Sequence, residues 1–188
     1  MSASDPTRTL AVPGPGRGRD TRLMIIRPES PHDISSIRTL IDAAFIGVEH
    51  SSQTEGAIVD ALRAADGLTV SLVAEQEGLI IGHVGFSPVL IDGEDSGWFG
   101  LGPVSVSPSL QRRGVGSALI REGLDRLASH GAQGCVVLGD PDYYGRFGFR
   151  SNHALRYGDV PPGYFQSLVL CGEPASGEVT YHAGFEAT

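Results

Sequence analysis

Residues 101–119, LGPVSVSPSLQRRGVGSAL, pass from an apolar run through a short turn into a helical pattern, and the turn carries residue types suited to an anion. Gln111-Arg112-Arg113-Gly114-Val115-Gly116 sets two glycines where another group can approach the backbone closely. The first-turn N–H groups of the following helix have no intrahelical partners, and the helix dipole favours negative charge there. Arg112 and Arg113 add planar, permanently charged guanidinium groups that match phosphate oxygens. Two common phosphate-binding patterns do not fit. A dinucleotide fingerprint would need a third glycine where Leu119 stands, and would follow its strand without the 107–113 spacer. The chain has no lysine, all 14 basic residues being Arg, which excludes a Walker A loop, the protein-kinase lysine and Schiff-base chemistry.

The elements that must position this turn follow from pattern. A short strand at 23–27 precedes Ser30-Pro31-His32-Asp33, an N-cap with proline at the first helical position. Ile34, Ile37, Leu40, Ile41, Ala44 and Phe45 then recur at helical spacing. Ser52-Gln53-Thr54-Glu55 has the form of a capping box and predicts a second helix through Ile58, Val59 and Leu62. Two apolar runs, 69–75 and 79–90, are split by Gln76-Glu77-Gly78 and read as an antiparallel hairpin. A third strand at 98–106 leads into the anion turn and its helix, which carries Val115, Leu119, Leu124 and Leu127. A buried strand at 135–138 and later strands at 166–171 and 178–182 complete an α/β (α+β) pattern around a mixed sheet.

Composition narrows the function classes. With 188 residues, 40% hydrophobic and of mean hydropathy −0.02, the chain suits one globular domain. Residues 1–23, rich in Pro, Gly and Arg, are expected to be a disordered tail, the domain to span 24–188, and Met24 to be the natural start. The net charge of −8 argues against binding nucleic acid and mildly favours a cationic substrate. Cys135 and Cys171 are too few for a zinc set or a disulfide framework. They are expected to be reduced, partly buried thiols, with no metal bound and a cytoplasmic location. No apolar run approaches the roughly 18 residues of a membrane span, and no membrane association is expected.

The turn Gln111-Arg112-Arg113-Gly114-Val115-Gly116 resembles the pyrophosphate loop of the GNAT acyltransferase superfamily, Q/R-x-x-G-x-G/A. A second family feature stands about 30 residues downstream in Tyr143-Tyr144-Gly145-Arg146-Phe147-Gly148-Phe149, where Tyr144 lies four residues before a Gly-Phe pair. Met24-Ile25-Ile26-Arg27-Pro28-Glu29, the Ala44-Phe45 helix end, Val59-Asp60-Ala61-Leu62-Arg63 and Leu138-Gly139-Asp140-Pro141-Asp142-Tyr143-Tyr144 are similar to the YhbS-like branch, so the resemblance spans about 24–182. It implies a mixed, mostly antiparallel sheet flanked by helices, whose two central parallel strands, 98–106 and 135–138, splay apart to admit acetyl-CoA. It also implies that the backbone from Arg112 to Ser117 holds the CoA pyrophosphate, with Gln111, Arg113, Gly114, Val115 and Gly116 forming that loop. Val104, Ser105 and Val106 would pair with the pantetheine amides, and Tyr144 would protonate the departing thiolate. The acceptor would be a primary amine on a small molecule or protein, and a homodimer is among the assemblies such proteins adopt.

The family's usual strand carboxylate is missing, since 98–107 holds no suited ionisable side chain. His83, Glu55, His50 and Asp140 are the remaining candidates for a base, in that order. Glu55 also reads as a helix-capping residue and Asp140 as a turn residue. The 91–97 loop, the first helix pair and the C-terminal residues His153, Tyr157, Pro161, Pro162, Tyr164 and Phe165 are expected on the acceptor side. A non-catalytic acyl-CoA-binding or regulatory domain is the alternative, and transfer of a longer acyl group, or to a hydroxyl, is a third reading.

Overall fold

Two thirteen-residue strands form the centre of the sheet, and the residues at their turns explain why they pair with each other. In the computed structural model, which describes residues 7–13, 21–48, 52–151, 153–161 and 163–188, β3 (Val70–Gln76) turns at Glu77-Gly78 into β4 (Leu79–Ile91), and β4 turns at Asp92-Gly93 into β5 (Glu94–Val106). At each turn both residues have positive φ, the two-residue geometry whose twist matches that of the flanking strands. The segment 91–97, expected as an acceptor-side loop, is therefore mostly a continuation of the hairpin. Its Asp-Gly pair is the sequence signal for that turn.

In chain order, β1 (Arg8–Pro13) and β2 (Thr21–Pro28) precede α1 (Ile34–Phe45) and α2 (Glu55–Ala64), which lead to β3. After β5 come α3 (Val115–Ser129), β6 (Gly134–Leu138), α4 (Pro141–Tyr144), β7 (Leu155–Arg156), β8 (Phe165–Val169) and β9 (Gly177–Tyr181). The strands are ordered β1-β2-β3-β4-β5-β6-β8, while β9 pairs with the far end of β4 and β7 with β9. This is the mixed, mostly antiparallel sheet that the family resemblance implies. The exception at its centre is β5 with β6, which run parallel and are joined at Trp98↔Gly134, Phe99↔Cys135 and Gly100↔Val136. Beyond Gly100, β5 stays with β4 through Val106, whereas Val137 and Leu138 of β6 stay with β8. The two strands part there. Two residues of β5, Gly102 and Pro103, stand opposite the single Gly85 of β4, a bulge that bends β5 at the parting.

Alternation along β3 divides the core. Leu72 and Ala74 join Val84, Phe86, Leu119, Ile120 and Leu127 under α3, whereas Val73 faces Ile37, Ile41 and Val59 of α1 and α2. A third cluster, with Trp98, Val136, Phe165 and Val179, fills the C-terminal end. The Ser30 N–H donates to the Asp33 carboxylate at 2.7 Å, closing one half of a capping box before α1. Arg27 also binds Asp33 through two guanidinium nitrogens, at 2.6 and 3.0 Å, tying β2 to the start of α1.

The N-terminal segment departs from expectation. Within the presumed tail, Arg8–Pro13 pairs with β2 from Arg8↔Ile26 to Pro13↔Thr21. Leu10 packs against the main core, and the Arg8 guanidinium reaches Glu122 on α3 at 3.2 Å. An edge strand needs little apolar content, and the Pro-Gly run that masked it in composition begins only at its end. Residues 1–6 and 14–20 lie outside the described residues. Cys171 is exposed and Cys135 buried, both as free thiols, so only one of the two is buried as expected.

Candidate active site

The parting of β5 from β6 exposes a strand edge inside the molecule. Ser107 donates its N–H to Ile81 on β4 at 2.9 Å, and antiparallel pairing alternates, so Ser105 opposite His83 also bonds into β4. Val104 and Val106 then turn their backbone groups toward the gap. The Gln111 side chain confirms the direction, donating Nε2–H to the Val106 carbonyl at 3.2 Å. A cleft of about 500 Å³ opens along this edge, lined by Val104, Val106, Gln111, Arg112, Gly114, Gly116, Ser117, Tyr143, Tyr144 and Arg146.

The anion turn closes one end of the cleft. Arg112 and Gly114 both have left-handed backbone, with φ of 59° and 89°, and Gly114 is the N-cap of α3. Reversing the chain so sharply leaves the first N–H groups of α3 facing the cleft. Gly116 carries no side chain where a Cβ would stand 3.1 Å from the Tyr143 hydroxyl.

Three sequence-expected residues sit elsewhere. The Ser105 side chain is buried on the face opposite α3, and its backbone is taken up by β4. Val115 points into the core at 2% exposure and contributes only main chain. Arg113 is half-buried and does not line the cleft. Arg146, quoted only as part of the aromatic motif, does line it. Its guanidinium lies 4.3 Å from the Tyr143 ring centroid and its Nε–H donates to the Tyr143 carbonyl at 3.1 Å. The signal was a cation placed two residues before a Gly-Phe pair.

Tyr144 is held by packing. Its ring meets the Tyr143, Phe147 and Phe149 rings at 5.0 to 6.5 Å and rests directly on Gly139, which follows β6. Burial pushes its hydroxyl pKa well above the ordinary tyrosine value, so it keeps its proton at neutral pH.

A second hollow of about 190 Å³ meets the same divergence on the α2 face. It is lined by Leu101, Gly102 and Pro103 of β5, Leu138 of β6, Glu55 and Ile58 of α2, and Tyr157, Tyr181 and Phe185. Glu55 does not close the expected capping box. Thr54 is the N-cap and Glu55 the first helical residue, because the helix starts later than the Ser-x-x-Glu pattern predicts.

A model of the Acetyltransferase (GNAT) family matches residues 34–149. The chain belongs to that family. As a GNAT member it is an acyltransferase enzyme. A GNAT acetyltransferase from Brucella melitensis, solved in complex with acetyl-CoA, is 52% identical with a TM-score of 0.78, covering 86% of this chain and 97% of that one. The Escherichia coli GNAT protein YhbS, solved in complex with CoA, is 37% identical with a TM-score of 0.81, covering 88% and 92%. By sequence, YhbS of strain K12, described as an N-acetyltransferase, is 41% identical over 136 residues, 71% of this chain and 78% of the relative. The YhbS-like branch read from the sequence is thereby shown.

Within this GNAT fold the base candidates separate. His83 is fully buried and lines neither hollow. The Ser71 hydroxyl donates to Glu29 at 2.5 Å, so the His83 Nε2–H must donate to Ser71 at 2.9 Å. Burial pushes its pKa down, outweighing the pull of Glu29, and leaves it neutral. It is a structural histidine. Asp140 caps α4, accepting from the Asp142 N–H at 2.9 Å. His50 and Pro162 lie outside the described residues. Of the C-terminal residues, Tyr157 lines the second hollow, Phe165 supports it from the core at 5.7 Å, and Tyr164, Pro161 and His153 are exposed. Among the described residues no cluster of side chains could hold a metal.

Proposed function

We propose that this enzyme transfers an acetyl group from acetyl-CoA directly to a primary amine of a small molecule or protein, with Tyr144 as general acid. The observation that carries the reading is the open backbone edge of Val104 and Val106 running from the anion turn to Tyr144. An extended pantetheine arm adds to that edge as a peptide adds to a sheet. The first-turn N–H groups of α3 suit the pyrophosphate, with Arg112 and Arg146 as neighbouring cations. The acetyl-CoA and CoA complexes of the two similar structures support the choice of co-substrate.

The residues then divide the chemistry. A main-chain N–H of β5 near the bulge polarises the thioester carbonyl, a donor type whose removal costs about 2.7 to 4 kcal/mol elsewhere. Tyr144 keeps its proton until charge develops on the departing sulfur, then gives it up. We place the enzyme in the cytoplasm, a reading supported by its two free thiols. No helix among the described residues is long and apolar enough to cross a membrane.

Thiol release across an amine panel tests the assignment. Tyr144→Phe is expected to bind acetyl-CoA as the wild type does and to turn over about 10² to 10⁴ more slowly. An unchanged rate in that variant removes Tyr144 from the mechanism.

A further inference from the structure

The two hollows at the β5–β6 divergence differ in charge. Arg112 and Arg146 line the cleft on the α3 face, whereas Glu55 is the one charged side chain among the described residues lining the hollow on the α2 face. Leu101 and Gly102 follow Gly100, and Leu138 stands two residues past Val136, the last β5–β6 pair, so this hollow begins where the strands part. The Tyr181 ring rests directly on Gly100, and its hydroxyl is buried without a hydrogen-bond partner. Burial pushes the Tyr181 pKa up, so its hydroxyl keeps its proton at neutral pH. The Tyr157 and Phe185 rings pack against the Tyr181 ring at 4.9 and 4.8 Å. The hollow is thus a rigid aromatic and aliphatic cage with one carboxylate and one unused hydroxyl.

We propose that this cage is the acceptor pocket, that it selects a primary amine on a compact apolar body, and that the Glu55 carboxylate both holds the ammonium and takes its first proton. The proposal rests on the N-acetyltransferase reading and names its substrate class. At about 190 Å³ the pocket admits a single ring with a short tether and excludes a sugar chain or a folded peptide loop. Aromatic faces and a carboxylate together favour an organic cation over a neutral or anionic acceptor. The proton balance closes. Glu55 takes one proton from R–NH₃⁺, and the free amine forms the C–N bond as the C–S bond breaks. Tyr144 gives its proton to the thiolate, and the second nitrogen proton replaces it. Glu55 then returns its proton to water, so one proton is released per turnover. Tyr181 accepts a hydrogen bond from the nitrogen and fixes its approach.

The test uses 2-phenylethylamine as probe, with spermidine and glucosamine as comparators, and measures acetyl-CoA binding by calorimetry on the same proteins. The expected result is a kcat/KM at least tenfold higher for 2-phenylethylamine than for either comparator. Glu55→Gln should leave the acetyl-CoA Kd unchanged, raise the 2-phenylethylamine KM at least tenfold and lower kcat at least tenfold. Leu138→Trp, at a half-exposed position, should block the cage and stop turnover with acetyl-CoA binding intact. Acetyl-CoA binding without acetylation of 2-phenylethylamine, or a Glu55→Gln enzyme with wild-type KM and kcat, overturns the proposal. A wild-type protein that does not bind acetyl-CoA sinks the N-acetyltransferase reading as well.

Discussion

At the scale of single residues, the site depends on where side chains are seated rather than on how many polar groups it holds. Tyr144 rests on Gly139 and Tyr181 on Gly100, so each ring flanks the divergence where a β-carbon would have displaced it. Arg146 is positioned by stacking on Tyr143 and by its bond to the Tyr143 carbonyl, which makes it a preorganised cation at the cleft mouth. Arg146→Ala should weaken acetyl-CoA binding about tenfold at low salt, or about 1.4 kcal/mol. The difference should shrink as salt screens the phosphates, and calorimetry at two ionic strengths reads both effects. Residue types and spacing made the anion turn legible, whereas Tyr144 was singled out only through the family resemblance; both lie in contiguous motifs. Tyr181 was not legible, since only the pairing of β9 with Val89–Ile91 of β4 brings it to the divergence. Glu55 stood second among the base candidates and also read as a capping residue; Thr54 is the N-cap of α2, and the Glu55 side chain lines the hollow on the α2 face.

At the scale of elements, α3 positions the anion turn and must sit close to the sheet to do so. Gly123 of α3 lies against the fully buried Phe86 ring of β4, with no room for a β-carbon. Gly123→Ala should cost about 1 to 3 kcal/mol through overpacking, read as a lower denaturant midpoint at constant m-value. An unchanged midpoint would show that α3 does not dock on Phe86. The helices and long strands could be read from the sequence because their apolar residues keep a helical period or a continuous run across many positions. The edge strand β1 is held by pairing with the next strand and by a single packed residue, Leu10, and the two-residue β7 by pairing with β9 beyond an intervening strand. No local period marks them. The divergence of β5 and β6 was legible only through the family resemblance, because nothing in the 98–106 run itself signals where pairing stops.

At the scale of the whole molecule, the fold's polar supports set its acid sensitivity. The hydrogen bond from Arg27 holds the Asp33 carboxyl well below the carboxylate range, against burial and with help from Ser30. Burial pushes Glu29 up, but the nearby His83 ring and the hydrogen bonds from Arg63 and Ser71 outweigh it and hold that carboxyl low as well. Both groups release their protons more readily when folded, so their stabilisation is complete above pH about 5 and lost as pH falls through the carboxylate range. His83, buried and neutral, acts earlier, because the unfolded chain takes up a proton below pH about 6.5 and the folded chain does not. Stability should therefore decline from pH about 6.5 and fall more steeply near pH 4. Asp33→Asn should flatten the lower limb and cost about 1.5 to 3 kcal/mol at neutral pH. Urea unfolding at several pH values reads this, and a flat profile from pH 7 to 4 would contradict it. The catalytic account rests on the opening between β5 and β6, and titration with acetyl-CoA tests that most directly. Saturable one-site binding that weakens as salt is raised is the predicted result. An absence of heat at every concentration and salt would contradict it.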